Sequence, residues 1–508
     1  MKLRELLETN IDQYGEYPFL FFNDKQYTNI ETKKYADQLA SGLQKLGVEN
    51  GDRIIVLMPN CPEVIIAYQG ITRAGAVIVP VMFTLHPKEI HYIALNSGAK
   101  AVITSANILQ NVEKALEGLP AKPIVIAVNQ PSDNKVKNFY DVIKGGNTTA
   151  LDFDSEVMAE DTAVILYTSG TTGNPKGVLL THKNLSSNAA NSAKHNENER
   201  GTTLGVLPLA HVYGLTVSNV CLLTGSSIVV FSSFNLEEVF KAIEKYKVKS
   251  FSGVPAMIHA MVSHPHADKY NTSTLESIGS GSAPLPVALL HAFEQKFGAL
   301  VYEGYGLSEA APVVTAHRKG LEIKPGSVGI PIPGVEVKVV DENGVEVPIG
   351  EVGELIVRGD NVTPGYYQND EESARVLKDS WLFTGDMARV DDEGYIYIVD
   401  RKKDLIIRGG FNVYPRDVEE ILNAHQGVSE VAVVGVPDER MGEEMVACVV
   451  KKSGTNVTEE ELIRYCQDHL AKNKTPRRVV FLETLPRNGV GKILKTHLRK
   501  TVADVTIQ

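Results

Sequence analysis

Short apolar runs alternate with segments of helical spacing along the first third of the chain. The runs predict buried strands at 54–58, 76–80, 101–104 and 163–166. Between the first three runs, the spacing predicts helices at 64–73 and 87–97. Because strand–helix–strand alternation builds a parallel sheet covered by helices, we expect an α/β fold. Residues 105–150 break this pattern, and we interpret them as polar connections of low order.

The alternation continues and then changes character. Further strands are predicted at 227–231 and 250–254, and further helices at 183–195, 236–246 and 256–263. From about residue 325 the pattern consists of short strands and turns, with strands predicted at 335–340, 353–359 and 395–399. This change predicts a small β subdomain packed on the α/β body.

A charge run at 400–404 precedes a new series of elements and indicates a domain boundary. Beyond it the pattern predicts strands at 405–407, 431–436, 445–450 and 479–482 and helices at 415–424 and 458–470. About a hundred residues of this kind form a compact α+β domain. The predicted organisation is an α/β protein with three parts: a large N-terminal domain of helix-covered sheets plus a small β subdomain (1–400), a hinge (401–403) and a small α+β C-terminal domain (404–508).

Composition narrows the possible function classes. The chain has 508 residues, 43% hydrophobic and 22% charged, as expected for a globular protein of several domains. A net charge of −11 argues against nonspecific nucleic-acid binding. The four cysteines lie far apart, which favours free thiols over a disulfide framework or a zinc site. No signal-peptide pattern or apolar run of the ~20 residues that cross a membrane is present, so we expect a cytoplasmic protein, with peripheral membrane contact still open.

Residues 167–177, Y-T-S-G-T-T-G-N-P-K-G, directly follow a predicted strand. They hold no acidic residue, and their donors and glycines are Thr168, Ser169, Gly170, Thr171, Thr172, Gly173 and Lys176. Glycine permits close backbone approach, and hydroxyls, free N–H groups and an ammonium all stabilise anionic oxygens. The stretch therefore predicts a phosphate-binding loop. It is not a Walker A loop, because its lysine follows a proline.

Two glycine-rich turns are predicted later in the chain, at 279–284 and 302–309. Their small residues let a flat ring approach the backbone, and Tyr305 can stack on it. Glu309 is a candidate Mg²⁺ ligand, since Mg²⁺ on nucleotide phosphates prefers hard oxygen ligands. Asp386 follows a glycine and is either a turn residue or an acceptor for two ribose hydroxyls.

Two residues and one segment bear on the site in other ways. His211 lies among apolar residues beside a predicted helix start, so it is either a core histidine bonded to the backbone or a site residue. Lys492 lies in the glycine-flanked loop 486–492, where a lysine is usually only exposed surface. No acidic residue lies in 204–225, which favours an uncharged or apolar acyl group over an amino acid. An apolar pocket for that group is suggested by Val212, Tyr213, Phe251, Val254 and Pro255.

Five motifs together resemble the ordered motif set of the adenylate-forming superfamily, which includes acyl-CoA synthetases, aryl-CoA ligases, luciferases and amino-acid adenylation domains. The motifs are Y-T-S-G-T-T-G-N-P-K-G from 167, Y-E-G-Y-G-L-S-E from 302, W-L-F-T-G-D from 381, D-R-K-K-D-L-I-I-R-G-G from 400 and P-R-N-G-V-G-K from 486. In length the chain most resembles the bacterial fatty-acyl-CoA ligases.

The resemblance implies a two-step reaction with ATP, Mg²⁺ and coenzyme A. A carboxylate attacks the α-phosphate of ATP, which releases pyrophosphate and leaves an acyl-adenylate. The CoA thiol then attacks the acyl carbonyl and expels AMP. Attack of one anion on another requires neutralisation of charge, which a metal ion and cationic side chains supply. The implied acid is a medium- or long-chain fatty acid, with an aryl acid such as benzoate or a cinnamate as the runner-up.

The resemblance also implies roles for single residues. Residues 168–176 would hold the β- and γ-phosphates, Ser308 the α-phosphate, and Glu309 the Mg²⁺. Adenine would be enclosed by Gly281, Ser282, Ala283, Glu303, Gly304, Tyr305 and the adjoining Gly306, and the ribose would be bound by Asp386 and Arg401. Lys492 would bridge the carboxylate and the α-phosphate. The acyl and pantetheine channel would be lined by His211, Val212, Tyr213, Phe251, Val254, Gly281 and Gly306. The residues implied in catalysis are thus Lys492, Glu309, Ser308, Thr168 and His211.

In the superfamily the small C-terminal domain is mobile and swings between the two steps about a hinge that matches Lys403. The swing would carry Lys492 away and bring the Gly409–Gly410 loop to the CoA channel, which protects the adenylate from water. The sequence departs from the common pattern twice. Ser308 stands where threonine is commoner and keeps the hydroxyl, and Lys403 stands where many relatives have aspartate.

Other functions stay open at this point. The nearest is an acid–AMP ligase that loads a carrier protein instead of free CoA. A different class is a non-catalytic nucleotide- or acyl-binding protein, against which Glu309 and Lys492 argue because binding alone does not need a transition-state lysine. Both a monomer and a homodimer fit the sequence.

Overall fold

The computed structural model describes residues 1–147, 156–168, 174–196, 199–487 and 492–505. Within these ranges the helices are α1 (Glu5–Tyr14), α2 (Asn29–Lys45), α3 (Pro62–Arg73), α4 (Pro87–Ser97), α5 (Leu109–Leu116), α6 (Phe139–Gly145), α7 (His182–His195), α8 (Val212–Thr224), α9 (Leu236–Tyr246), α10 (Pro255–Ser263), α11 (Val287–Phe297), α12 (Asp370–Val376), α13 (Pro415–Asn423), α14 (Glu459–His469) and α15 (Lys495–Val505). Short 3₁₀ turns lie at Ala106–Ile108, Ala267–Lys269, Ser308–Ala310 and Lys472–Lys474.

The strands in the same ranges are β1 (Pro18–Phe22), β2 (Lys25–Thr28), β3 (Arg53–Leu57), β4 (Val77–Pro80), β5 (Ala101–Ser105), β6 (Ile124–Val128), β7 (Val136–Asn138), β8 (Thr162–Thr168), β9 (Lys176–Thr181), β10 (Thr202–Gly205), β11 (Ser227–Val230), β12 (Ser250–Gly253), β13 (Ser277–Ser280), β14 (Leu300–Gly306), β15 (Val313–Ala316), β16 (Ile330–Pro331), β17 (Val335–Val340), β18 (Gly353–Gly359), β19 (Leu377–Lys378), β20 (Trp381–Val390), β21 (Ile396–Arg401), β22 (Ile406–Arg408), β23 (Phe411–Val413), β24 (Val428–Asp438), β25 (Gly442–Lys451) and β26 (Arg478–Phe481).

The first sheet has seven strands in the order β7-β6-β5-β3-β4-β8-β9. Its strands run parallel except β9, which pairs antiparallel with β8. The apolar runs of β3, β4 and β5 are buried, as continuous apolar strands of a two-sided sheet should be. Helix α3 is buried along its whole length. The predicted helix-covered parallel sheet is therefore confirmed.

Residues 105–147 are more ordered than their sequence pattern predicts. They contain α5, β6, β7 and α6, and β6 extends the first sheet parallel to β5. The expectation of polar connections is wrong here, because the five apolar residues of β6 continue the sheet and are partly or fully buried in it. The apolar run Ile124–Val128 could have predicted this strand, but it is short and lies among polar residues.

A second α/β layer carries the sheet order β12-β13-β14-β15-β16. Strands β12, β13 and β14 run parallel, and β15 returns antiparallel. One face of this sheet is covered by α9, α10 and α11 over a core that includes Phe240, Ile278 and Phe293. The other face meets α8, whose Tyr213 lies beside Gly279 and Gly281. A four-stranded sheet, β10-β11-β1-β2, completes this layer.

Residues 302–306 belong to β14 and do not form part of a turn, so the predicted second glycine-rich turn is wrong over this range. Its glycines serve close strand packing instead. A Cβ on Gly306 would lie 2.3 Å from the carbonyl oxygen of Pro312, and one on Gly304 would lie 3.0 Å from that of Thr315. Glycine is thus required where β14 meets the segment that begins β15.

The two smaller units follow the sequence prediction. Strands β17, β18, β20, β19 and β21 form the β subdomain. In the C-terminal domain β23, β22, β25 and β24 form a sheet that β26 joins parallel to β25. Helices α13 and α14 share one core with this sheet, and α15 shares a second core with it. A large α/β N-terminal domain and a small α+β C-terminal domain are confirmed, while the boundaries 1–400, 401–403 and 404–508 stay predictions.

Candidate active site

One cavity of about 1150 Å³ opens at the carboxyl ends of β12, β13 and β14 and continues along α8. It gathers residues from four of the five sequence motifs. The predicted site residues that line it are Thr168, His211, Val212, Tyr213, Phe251, Gly281, Ser282, Gly304, Tyr305, Gly306, Ser308, Glu309, Arg401 and Lys492. Ligand sites in open α/β sheets commonly lie beyond the carboxyl ends of strands, so this position agrees with a substrate site.

Other predicted residues have different places. Within the described ranges, the ones that do not line the cavity are Lys176, Val254, Pro255, Ala283, Glu303, Asp386, Lys403, Gly409 and Gly410. The prediction for Ser169, Gly170, Thr171, Thr172 and Gly173 lies outside the described residues.

The glycine-lined wall lies where Tyr213 of α8 faces the sheet. A Cβ on Gly281 would approach the Tyr213 ring to 3.3 Å, and one on Gly279 would lie 3.4 Å from both the Tyr213 hydroxyl and Ser252 Oγ. Ser252 therefore points into the cavity, and sequence reasoning missed it. The alternation of side chains along a strand could have predicted this position. Phe251 packs in the core with Phe240, so the side chain of the next residue, Ser252, points to the opposite side of the strand.

The apolar pocket is only partly as predicted. Phe251 belongs to the wall but is 3% exposed, and its side chain packs in the same core cluster as Val254. Phe251 lies within β12 and Val254 directly follows that strand, and both side chains are buried. Val212 also borders the cavity but is buried, whereas Tyr213 in the same lining is only partly buried.

Asp386 is joined to two other predicted residues. Its carboxylate accepts a hydrogen bond from Tyr305 Oη at 2.6 Å and forms an ion pair with Arg401 Nε at 3.1 Å. Burial, followed by the charge of Asp386, raises the pKa of Tyr305 well above its usual value, so this hydroxyl stays a donor. Asp386 is 3% exposed and thus lies behind Tyr305 and Arg401, both of which line the cavity.

Lys492 enters the cavity from the C-terminal domain. Burial lowers the pKa of its ammonium to about 8, and the positive charge of Arg401 acts in the same direction. Its charge also contributes to a lowered pKa at His211, which places the two side chains in one electrostatic environment. The interpretation of Lys492 as an ordinary exposed lysine does not agree with this position.

His211 is the N-cap of α8, and its Nδ1 accepts a hydrogen bond from Tyr213 N–H at 3.3 Å. Burial lowers the pKa of His211 to about 4, so the ring is neutral at pH 7. With Nδ1 as acceptor, the neutral ring carries its proton on Nε2. Both interpretations from the sequence hold together, because the histidine has a backbone partner and also lines the cavity.

Glu309 lies in the 3₁₀ turn Ser308–Ala310 and lines the cavity beside Ser308. Its Oε1 accepts a hydrogen bond from Tyr366 Oη at 2.9 Å. Within the described residues, no cluster of three or more His, Cys, Asp or Glu side chains forms a metal site. One carboxylate beside substrate phosphates is nevertheless the arrangement in which Mg²⁺ is commonly held, so Glu309 fits that ion.

Lys176 has an ion-pair partner that the sequence did not reveal. Its Nζ lies 2.6 Å from Oε1 of Glu372 in α12 and 5.9 Å from the centre of the Tyr366 ring. Two hydrogen bonds from Arg375 and one from Lys176 lower the pKa of Glu372 to about 2, so the carboxylate is charged at all ordinary pH values. The predicted phosphate ligand is held outside the cavity in this structure.

Glu303 also faces away from the cavity. It is 2% exposed, its Oε1 accepts a hydrogen bond from Leu285 N–H at 3.2 Å, and burial raises its pKa to about 7. The side chain therefore supports the segment after β13, and only the backbone of residue 303 is available to a ring placed beside Gly304.

The predicted hinge follows the last residue of β21. Asp404 pairs with Arg499 of α15 at 2.6 Å, and Arg416 of α13 donates to the carbonyl oxygen of Ile398 at 2.6 Å. The first contact lies within the C-terminal domain, whereas the second crosses to β21 and holds that domain in the orientation that places Lys492 in the cavity. In this orientation Gly409 and Gly410, with φ of 57° and 83°, form the β22–β23 turn away from the cavity.

Comparison with known proteins agrees with this site. The family model for AMP-binding enzymes matches residues 7–367, and the model for the C-terminal domain of AMP-binding enzymes matches 417–492. A long-chain-fatty-acid–CoA ligase from Bacillus subtilis (strain 168) is 37% identical, over 98% of this chain and 94% of that protein. A feruloyl-CoA synthase from an Amycolatopsis species is 36% identical, over 93% of each chain.

A solved structure has the same architecture. The anthranilate CoA ligase AuaEII in complex with anthranoyl-AMP superposes with a TM-score of 0.94 at 28% identity, over 100% of this chain and 98% of that one. Among the described residues, no helix is long and apolar enough to span a membrane. The predicted superfamily and the predicted enzyme class, an AMP-forming acid–thiol ligase, are confirmed. This chain belongs to the family of AMP-binding enzymes.

Proposed function

We propose that this chain is an ATP-dependent acyl-CoA synthetase that uses ATP and coenzyme A. A carboxylic acid and ATP give acyl-AMP and pyrophosphate, and acyl-AMP and CoA then give acyl-CoA and AMP. The observation that carries the proposal is the position of Lys492, which lies in one cavity with His211, Glu309 and Arg401 although it belongs to the C-terminal domain.

In the first step Lys492 acts on the approach of two anions. Its ammonium would lie between the substrate carboxylate and the α-phosphate and offset the repulsion between them. Tyr305, held by Asp386, would flank the adenine, and Arg401 would bind near the ribose. Ser308 would donate to the α-phosphate from the same turn that carries Glu309.

Mg²⁺, held by Glu309 together with phosphate oxygens and water, would neutralise charge on the phosphates. The protein would contribute one ligand to this ion, the Glu309 carboxylate, which a hydrogen bond from Tyr366 holds in place. Thr168 lines the cavity at the end of β8, directly before residues 169–173 in the sequence, and would donate its hydroxyl on the phosphate side.

Thioester formation, the second step, requires different residues of the C-terminal domain beside the adenylate. We propose that the C-terminal domain, 404–508, rotates about Lys403 within the hinge 401–403 after the adenylate forms. Rotation would break the contacts of Arg416 with Ile398 and withdraw Lys492. The Gly409–Gly410 turn would then face the channel through which CoA enters. Keeping the two steps apart protects the adenylate from water.

A medium- or long-chain fatty acid is the first candidate substrate. The cavity continues along α8 from Tyr213 to Thr224, which at 1.5 Å per residue is about 16 Å and suits an extended tail. The relative from Bacillus subtilis, named for long-chain fatty acids, supports this candidate.

An aryl acid is the second candidate, favoured by one observation. The hydroxyls of Tyr213 and Ser252 both line the groove, and each lies 3.4 Å from the position that a Cβ on Gly279 would take. A polar pair and an aromatic ring at this depth suit a substituted ring better than an alkyl chain. The feruloyl-CoA synthase among the relatives is consistent with this alternative.

The test is CoA-dependent release of AMP from Mg·ATP with acetate, octanoate, palmitate, benzoate, coumarate and several amino acids. A maximum at octanoate or palmitate supports the first candidate, and a maximum at benzoate or coumarate the second. Adenylate formation without a CoA thioester would indicate a ligase that loads a carrier protein. Absence of pyrophosphate exchange with every acid would contradict the proposed function and favour a binding protein.

A further inference from the structure

Tyr366 lies behind the phosphate side of the cavity and contacts two groups that are predicted to act on ATP. Its hydroxyl donates to Glu309 Oε1 at 2.9 Å, and its ring lies 5.9 Å from Lys176 Nζ. The residue is 8% exposed and is not one of the cavity-lining residues. Any effect on a substrate must therefore pass through Glu309 or Lys176.

The backbone around Tyr366 is tied to both of these partners. Thr363 N–H donates to the carbonyl oxygen of Glu309 at 2.8 Å, Leu179 N–H donates to that of Gly365 at 3.0 Å, and Tyr367 N–H donates to that of Gly177 at 2.7 Å. The segment thus joins the 3₁₀ turn that bears Glu309 to strand β9, which begins with Lys176. These backbone hydrogen bonds hold Tyr366 in place between the turn that bears Glu309 and the start of β9.

The hydrogen bond from Tyr366 to Glu309 is of a kind that suits a carboxylate that binds a cation. The Tyr366 hydroxyl donates this hydrogen bond and the Glu309 carboxylate accepts it. A bond to Oε1 fixes the rotation of the carboxylate and leaves Oε2 directed elsewhere. Groups that hydrogen-bond to a metal-ligating side chain orient it and strengthen metal binding.

We propose that Tyr366 is a positioning residue that holds the Glu309 carboxylate in the orientation required to bind the Mg²⁺ of Mg·ATP. The inference rests on the proposed function, since it assumes that the chain binds ATP in this cavity. It extends that function to a residue that has no contact with substrate. A purely structural tyrosine would support the fold without distinguishing Mg·ATP from metal-free ATP.

The experiment is calorimetric titration of the full-length chain and of Tyr366→Phe with Mg·ATP and, separately, with ATP in excess EDTA. We expect Tyr366→Phe to weaken binding of Mg·ATP by about tenfold, the lower end of the effect known for groups that orient metal ligands. Binding of metal-free ATP should stay within twofold of wild type. The ring and its packing remain, so only the hydroxyl is tested.

Two further variants complete the test. Tyr367→Phe is the matched control, because Tyr367 is adjacent in sequence but packs in a different cluster with Ile165 and Tyr167; it should change neither affinity. Glu309→Gln should show the same selectivity as Tyr366→Phe, and the double variant should add little to it, because both act on one cation.

Equal weakening of both ATP forms, an unchanged affinity for Mg·ATP, or additive effects in the double variant would overturn the proposal. If Tyr366→Phe fails to fold, equal weakening of both ATP forms in Glu309→Gln still overturns the proposal, because Glu309 would then not hold the cation that Tyr366 is proposed to orient. A wild-type chain that binds neither form of ATP contradicts the proposed function and the positioning role with it. Wild-type binding combined with an unselective Tyr366→Phe contradicts the positioning role alone.

Discussion

Two lysines are predicted to meet the phosphates of ATP, and the structure gives them opposite surroundings. Lys176, at the start of β9, is held by Glu372 at 2.6 Å outside the cavity. Lys492, from the C-terminal domain, lines the cavity, and burial with Arg401 nearby lowers its pKa to about 8. The difference shows that motif membership and role in the site are separate properties, because the first depends on sequence and the second on what surrounds the charge.

We expect the ammonium of Lys492, which lines the cavity, to stabilise a transition state, and we expect Lys176, which lies outside the cavity, to contribute less. Loss of a preorganised cation at a developing charge commonly costs about 10²–10³ in rate, whereas an ion pair that is still partly exposed to solvent contributes much less. The variants below test this ranking, from the largest expected effect to the smallest.

Lys492→Ala should lower the rate of pyrophosphate exchange by about 10²–10³ while the affinity for ATP changes little, because the lysine acts on the approach of the two anions. Lys500→Ala, at an exposed position of the same helix-bearing segment, is the control. Thioester formation from synthetic acyl-AMP should survive in Lys492→Ala. An equal loss in both half-reactions would show that Lys492 supports the fold rather than the first step.

Lys403→Pro should separate the two steps, because adenylation uses Lys492 in the present orientation whereas thioester formation requires the C-terminal domain to rotate. Proline fixes φ and restricts the preceding residue, so the hinge would lose its rotation. We expect adenylation within about threefold of wild type and thioester formation lowered by about 10²-fold, in line with the effect of lost gating on a committed step. Lys403→Ala keeps the backbone free and should retain both steps. Equal loss of both steps in the proline variant would contradict a hinge here.

The pH dependence should reveal the Lys492 ammonium. The charged form is the active one, so kcat/KM for adenylation should be constant below pH 8 and fall as pH rises through the pKa of about 8. At pH 9 the expected loss is about tenfold, because one unit above the pKa about a tenth of the lysine remains protonated. Lys492→Arg keeps its charge at this pH and should lack the alkaline fall, even if its rate is lower. A fall of the same shape in Lys492→Arg would assign the ionisation to another group.

Glu372→Gln should have the smallest effect. It removes the carboxylate that holds Lys176 and leaves the ammonium available to phosphates, so the Kd for ATP should fall by about two- to threefold, the size of a partly exposed ion pair. Glu371→Gln is adjacent and exposed and should leave the Kd unchanged. A higher Kd for ATP in Glu372→Gln would contradict this, since it would mean that the ion pair with Glu372 keeps Lys176 and the start of β9 in the position that ATP binding needs.

The elements with strong periodicity were predictable, and so was the order of the motifs. Helix α4 and strand β17 agree with their predicted limits, 87–97 and 335–340. For the site, the sequence predicted which kinds of chemical group are present but not which of them are in contact. The spacing within each motif showed hydroxyls, glycines and charges, but not that Tyr305 donates to Asp386, 81 residues away, or that Lys176 pairs with Glu372, 196 residues away.

The failures have a common physical origin. Residues 302–306 were interpreted as a turn because glycines usually indicate one, yet here they allow β14 to approach Pro312. Apolar character assigns both Phe251 and Val254 to the substrate pocket, but both are buried in one core cluster and, of the two, only Phe251 also lines the cavity. Residue type alone does not say which face of a strand is the core face, since that depends on what packs there.

The sequence by itself determined the α/β class, the two-domain organisation, the family and the kind of chemistry, because these depend on local periodicity and on short motifs whose donors are contiguous. Only the tertiary structure decided which of those donors share one cavity, which are neutralised by distant partners, and which buried groups orient them. The physical reason is that pKa values, ion pairs and burial depend on neighbours in space, and the fold brings these neighbours from positions hundreds of residues apart.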